Sequence, residues 1–167
     1  DIIAQKDAAV QALKDRIANA LLGFKDKGLT VEERNGKIYV SLEAKLLFPS
    51  GSNVVNDEGK SALIDLANVI REEKDITIMV EGHTDTDPFN GAGAVKDNWD
   101  LSVMRATSVV RILTGQGKMS PDVLTAGGRG EHVPVAENST SEGKSKNRRI
   151  EIILAPNLDE LFEIINE

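Results

Sequence analysis

The chain has no cysteine, which removes disulfides, thiol catalysis and cysteine-ligated metal while leaving the compartment open. It also lacks any apolar run near the roughly 18 residues that a membrane span needs, and it shows no signal-peptide pattern. Because it begins at Asp1 rather than Met, we read the N-terminus as trimmed, and the missing targeting segment carries no weight. Lys and Arg never form a block of five or more, and the net charge of -7 is spread along the chain. That distribution argues against nucleic acid and anionic membrane surfaces as partners. There is no internal repeat or low-complexity tract. What is present, 167 residues of which 40% are apolar, suffices for one domain with a proper core plus an accessory element.

Residues 2 to 27 read as one helix, with Ile3, Val10, Ile17 and Phe24 repeating every seven residues and Gly28 as the stop. Two readings stay open for it: a stalk or coiled-coil end, able to pair with a second copy, or a surface helix packed on its own domain. Leu29 to Glu33 and Lys37 to Leu42 flank Asn35-Gly36, the strongest short hairpin signal. Leu46 to Val55 reads as a loop. A helix follows from the cap Asn56 to about Lys74, then a strand in which Ile76, Ile78 and Val80 alternate. A second helix starts at Asp97 or Asn98, with Trp99, Val103, Ala106, Val110 and Leu113 as its expected apolar stripe and Gly115 to Gly117 as its end. Leu124 leads a short strand into a turn at Gly127 to Gly130, and Ala136 to Lys146 reads as an exposed polar loop. The last strand is Arg148 to Leu154, and Leu158 to Ile165 reads as a tail helix capped at Asn157. The order predicts an α/β (α+β) sandwich: a small mixed sheet with two helices on one face, preceded by the N-terminal helix (1–28) and hairpin (29–45). The main domain spans 46–156 and the C-terminal helix 157–167.

Several constellations could carry chemistry. Glu81, His83 and Asp85 alternate at a strand end, and with His132 they could hold zinc or iron for a metal-dependent hydrolase. Glu-x-His-x-Asp is a loose pattern, however, and the ordinary reading is a polar strand end with its own hydrogen bonds. The Gly-x-Ser-x-Gly turn of a serine hydrolase is absent, and Gly127 to Gly130 matches neither phosphate-binding fingerprint. Arg105 is placed on the flank of its helix, off the apolar stripe, within reach of the preceding loop. Arg148 shares a strand face with Ile150, Ile152 and Leu154, so it should point inward and require a carboxylate or carbonyls. Spacing alone leaves two readings: Asp85 pairs with Arg105 or Arg148 to pin a loop, or the charges form a ligand site.

Taken in order, Leu47-Phe48-x-x-Gly51-Ser52, Gly82-His83-Thr84-Asp85, Asn98-Trp99-Asp100-Leu101-Ser102-x-x-Arg105-Ala106, Gly128-x-Gly130-x-x-x-Pro134 and Asn147-Arg148-Arg149-Ile150-Glu151-Ile152 resemble the peptidoglycan-binding domain shared by OmpA, Pal and MotB. The match covers roughly Leu46 to Leu154. The long loop after Asp85 and the Asn-Trp-Asp-Leu-Ser string are closest to the MotB branch. The resemblance implies a non-enzymatic domain, without cofactor, in the periplasm or outer-membrane envelope of a Gram-negative bacterium. It would grip the meso-diaminopimelate of the peptidoglycan stem peptide and anchor an envelope protein to the cell wall, with any membrane anchor lying outside this chain. The wall anchor of a MotB-like motor stator is an alternative. By motif position, Asp85 should take the ligand's ammonium and Arg105 its carboxylate. Thr84 and Asn98 should add hydrogen bonds, Arg148 should lie at the rim, and Gly51 should belong to the entry loop.

Overall fold

A computed structural model of the chain describes residues 1–91 and 93–157; the expected tail helix from Leu158 lies outside them. Five strands form one mixed sheet: β1 (Leu29–Arg34), β2 (Lys37–Glu43), β3 (Ile76–His83), β4 (Leu124–Gly128) and β5 (Arg149–Pro156). Their spatial order is β1-β2-β5-β3-β4, antiparallel except for the β3–β4 pair. The hairpin is therefore hydrogen-bonded into the same sheet as the later strands. Asn35 and Gly36 both have positive φ, 53° and 78°, as the two-residue hairpin turn that matches strand twist requires.

The inward face carries Ile38, Val40 and Leu42 of β2, Ile78 and Val80 of β3, and Ile150, Ile152 and Leu154 of β5, all buried. Helices α3 (Asp57–Ile70) and α4 (Asn98–Thr114) cover it, as expected. Side-chain caps start both, Asn56 accepting from the Gly59 N–H and Asp97 from the Asp100 N–H. α3 ends at Ile70, one turn short of the expected Lys74.

The first helix, α1 (Ile2–Ala20), also departs from expectation, because residues Leu22–Lys27 tighten into a 3-10 turn before Gly28 at φ 93°. Gly23 is a poor helix former, and Leu21 turns into the core. Buried Leu13, Ile17 and Leu21 are spaced by four, so the second half of α1 packs on this domain, while Ile3 at its start is exposed. Arg16 fastens it to the end of α3 through Glu73 and the Val69 carbonyl.

Two expected loops contain helices. Ala44–Leu47 forms a one-turn helix (α2) because Leu46, Leu47 and Phe48 find the core, and its Ala44 N–H is held by the Arg148 carbonyl at 2.7 Å. Ser141–Asn147 forms α5, capped by Thr140 accepting from the Gly143 N–H. Buried Asn147 binds the neighbouring loop, accepting from the Val135 and Ala136 N–H groups and donating to the Ala136 carbonyl and Asn138 Oδ1. Gly127 and Gly128 belong to β4 rather than to a turn.

The most consequential correction concerns the phase of α4. Its buried face is Leu101, Ser102, Arg105, Ala106, Val109 and Leu113, while Trp99 and Val103 are 49% and 40% exposed. Arg105 therefore lies on the inward side of the helix, not its flank. The rotation follows from how closely α4 meets the sheet. Gly82 and Gly128 are partners across the β3–β4 ladder, and a Cβ on Gly82 would stand 2.1 Å from the Ser102 carbonyl oxygen. On Gly128 it would stand 2.4 Å from Ser102 Oγ. Backbone rests on backbone here, and Ser102 Oγ closes the seam by donating to the Trp99 carbonyl and accepting from the Gly130 N–H. Gly82→Ala should force the helix off the sheet and destabilise the fold by about 3 kcal/mol or more, read as a drop in the denaturant midpoint. A wild-type midpoint for this variant would show that the seam has slack.

Candidate functional site

β3 ends at His83, and the next residues turn at the end of the sheet beside α4. The Thr84 N–H donates to the Gly130 carbonyl at 2.8 Å, and Thr84 Oγ1 donates to the Asp85 carbonyl. The Asp87 N–H donates to Asp85 Oδ1 at 2.9 Å, and Asn98 Nδ2 holds the Asp87 and Asp85 carbonyls at 3.0 and 3.4 Å. Asp85 is thus oriented from every side of its own turn and is buried. Its free oxygen, Oδ2, meets Nη1 of Arg148 at 2.5 Å. Arg148 follows α5, immediately before β5, and reaches in from the rim with 40% of its side chain exposed.

Arg105 enters from α4. Its Nε donates to the Ser52 carbonyl at 2.9 Å, and its guanidinium lies 4.8 Å from the centre of the Phe48 ring. Among the described residues it has no ion-pair partner, although it is only 5% exposed. Burial, and then the like charge of Arg148, lower its pKa to about 10, with Asp85 acting weakly in the other direction. The group stays charged at neutral pH. Two guanidinium groups therefore face the Asp85 carboxylate across an open cleft of about 460 Å³, also lined by Lys45, Phe48, Ser50, Gly51 and Asp87. The centre of the cleft carries surplus positive charge beside a fixed negative one.

Four of the expected site residues, Gly51, Asp85, Arg105 and Arg148, line this cleft. Thr84 and Asn98 stand one layer behind it, holding the backbone on which Asp85 sits. Sequence reasoning missed Phe48, the floor beneath Arg105, and the Lys144–Asp87 ion pair at 3.0 Å. Phe48 was within sight, since it lies in the Leu47-Phe48-x-x-Gly51-Ser52 string.

The four residues considered for metal do not come together. Glu81 and His83 project from the opposite face of the sheet to the cleft, where His83 Nε2 lies 2.9 Å from Glu81 Oε1 and 3.6 Å from Glu151 Oε2. Asp85 is in the cleft, and His132 lies against Trp99, with ring centres 4.9 Å apart. Glu81, His83 and Glu151 do have donor atoms within 4.8 Å of one another. A protein cation already serves them: Arg149 Nε is 3.3 Å from Glu151 Oε1, and Nη1 and Nη2 donate to the Asn147 and Val133 carbonyls. Burial lowers the Arg149 pKa while Glu151 opposes the shift, and the hydrogen bond from His83 lowers that of Glu81. The cluster reads as a structural network, within which His83 Nδ1 is, among the described residues, buried without a hydrogen-bond partner.

The family model that describes the OmpA family matches residues 47–148. The chain belongs to that family. It is 34% identical over 119 residues to Motility protein B of Bacillus subtilis, an alignment covering 71% of this chain and 45% of that protein. The chain thus spans about half the length of that relative. Its fold superposes on a MotB-like protein from Desulfovibrio vulgaris with a TM-score of 0.84 at 23% identity, covering 94% of this chain and 97% of the other. It also superposes on the cell wall anchor of the T6SS from Pseudomonas aeruginosa, with a TM-score of 0.74 at 32% identity and coverage of 85% and 98%. The cleft residues from Phe48 to Arg148 fall inside the OmpA-family segment, whereas α1, the hairpin and all of β5 lie outside it.

A buried guanidinium without a carboxylate is costly to the free protein. Above about pH 10 the unfolded chain still holds, up to the ordinary guanidinium range, a proton that folded Arg105 has released. Stability should therefore rise with pH across that window, while below it the penalty is constant. At pH 7, Arg105→Met, which keeps the bulk against Phe48, should leave unfolding free energy unchanged or raise it, by up to about 2 kcal/mol. Chemical denaturation checks this, and a clear loss of stability would mean that Arg105 is a structural residue.

Proposed function

We propose that this OmpA-family chain is the wall-binding domain of an envelope protein, gripping peptidoglycan non-covalently through the zwitterionic end of a meso-diaminopimelate residue. One observation carries the reading: across an open cleft, an oriented, buried Asp85 faces a buried Arg105 that has no counter-ion of its own among the described residues. An α-amino acid terminus offers an ammonium and a carboxylate on the same carbon, matching that pair in sign. The ammonium takes the place of the Arg148 guanidinium on Asp85 Oδ2. The released Arg148 then joins Arg105 around the carboxylate, where a planar guanidinium can donate two parallel hydrogen bonds. The resemblance to a cell wall anchor and to Motility protein B supports the anchoring role and a place in the cell envelope. It equally fits the wall anchor of a motor stator as the parent protein.

Recognition, not turnover, suits this geometry. The central carboxylate is already engaged by a guanidinium and a backbone N–H, an arrangement for fixing charge rather than moving a proton. The same charge pair sets selectivity. A lysine side chain brings the ammonium without the carboxylate and leaves Arg105 desolvated and unpaired, so diaminopimelate should be preferred by about tenfold or more.

In a pull-down with purified sacculi, the wild-type protein should sediment, and Asp85→Ala or Arg105→Ala should each weaken binding by about tenfold or more. Stem peptide carrying lysine in place of diaminopimelate should compete poorly. Wild-type protein that ignores sacculi would sink the reading, and equal competition by the lysine peptide would remove diaminopimelate as its ligand.

A further inference from the structure

The chain has a single Trp, and it is half-exposed at the first turn of α4 with no role in the cleft. Trp99 is paired with the exposed His132, whose ring centre lies 4.9 Å away at an interplanar angle of 30°. The pair is built rather than incidental. Gly130 lies beneath both rings at φ 58°, and a Cβ there would come 3.5 Å from Trp99 Cδ2 and 3.4 Å from His132 Cδ2. Gly130 is itself pinned by Ser102 Oγ through its N–H and by the Thr84 N–H through its carbonyl. Val103, one turn along the same face of α4, extends the apolar surface. A large aromatic face left open on rigid backbone is a signal of binding, because Trp combines apolar area with few rotatable bonds.

The position of this platform indicates what it takes. Thr84, whose N–H binds Gly130, is the residue before Asp85. From the rings to the cleft the path is one van der Waals contact, one hydrogen bond and one peptide unit, on the order of 10 Å. A stem peptide joins an amino-sugar strand, and its diaminopimelate is the third residue, so an extended stem also spans about 10 Å. Pyranose rings present a face of C–H groups that packs on an aromatic ring, and acetamido and hydroxyl groups that a His side chain can hydrogen-bond. We infer that Trp99 and His132 form a second subsite, for the amino-sugar strand of the same peptidoglycan molecule. The inference rests on the proposed occupancy of the cleft by the stem peptide. The two subsites would then read the junction of peptide and glycan rather than the peptide alone.

Calorimetric titration with two probes tests this: free L-Ala-γ-D-Glu-meso-diaminopimelate, and the same tripeptide carrying its N-acetylglucosamine–N-acetylmuramic acid disaccharide. The wild-type protein should bind the disaccharide form about fivefold tighter, the scale of one aromatic contact. Only that form should shift the Trp emission, which reports Trp99 alone. Trp99→Ala should abolish the gain and leave tripeptide affinity intact, whereas Trp99→Phe should restore most of it. Because the side chain is half-exposed, unchanged melting curves are expected for both variants. Equal affinity of wild type for the two probes, or a gain that survives in Trp99→Ala, would overturn the subsite while leaving the cleft reading in place. Failure of both probes to bind would overturn the cleft reading and the subsite together.

Discussion

The contact of α4 on two glycines is the constraint from which the rest of the site follows. With no Cβ on Gly82 or Gly128, the helix backbone at Ser102 lies directly on the β3–β4 ladder. A helix held that close cannot roll, because any rotation would drive a side chain into the strands. Fixing its rotation fixes which residues face inward, and one of them is Arg105. The same seam positions Asp85, since Ser102 holds Gly130 and Gly130 holds Thr84. The two ends of the proposed zwitterion site are therefore set by one packing event, although they lie on different elements and are separated by a loop.

Placing Arg105 inward works against the free protein. Its Nε bond to the Ser52 carbonyl and its contact with Phe48 recover part of the lost hydration, but no carboxylate completes it among the described residues. Asp85, the nearest candidate, is taken by Arg148. That arrangement limits the cost in two ways: Asp85 is not left as a lone buried anion, and Arg148, being at the rim, retains access to water. A half-exposed guanidinium is also the group most easily released, because water meets it as it leaves. In the proposed complex a ligand ammonium takes over this pairing.

Much of the scaffold was legible in the sequence, and the misses share a physical cause. Asn35-Gly36 specified the hairpin because few other residue pairs tolerate two consecutive positive φ values. Asn56 and Asp97 marked helix starts because unpaired N–H groups there need a side-chain acceptor. Alternation placed the inward residues of β3 and β5 correctly, and it even gave the direction of Arg148, just outside the strand. Parity failed beyond His83, where the strand had ended, so the proposed grouping of Asp85 with His83 dissolved. Periodicity failed on α4 for a different reason. Trp99 and Val103 are apolar and regularly spaced, and nothing local distinguishes an apolar residue kept for the surface from one destined for the core. The true inward stripe includes Ser102 and Arg105, which no hydrophobic pattern would select. Helices α2 and α5 were missed because one or two turns carry too little period to stand out from a loop.

Arg148 and Arg149 show how far strand geometry can separate two identical side chains. Successive residues point to opposite faces, so Arg148 turns into the cleft and Arg149 into the network on the other side of the sheet. Arg149 donates to Glu151 and to the carbonyls of Asn147 and Val133, a fork of contacts that a lysine ammonium, as a single point of charge, cannot span. It holds the loop ahead of α5, with Asn147 binding that loop from its other end. Arg148, by contrast, makes one side-chain contact, to Asp85, from the rim of the cleft. Arg149 thus fixes the segment that carries Arg148. Charge that looks duplicated in the sequence is divided in the fold between a structural clamp and a half-exposed counter-ion to Asp85.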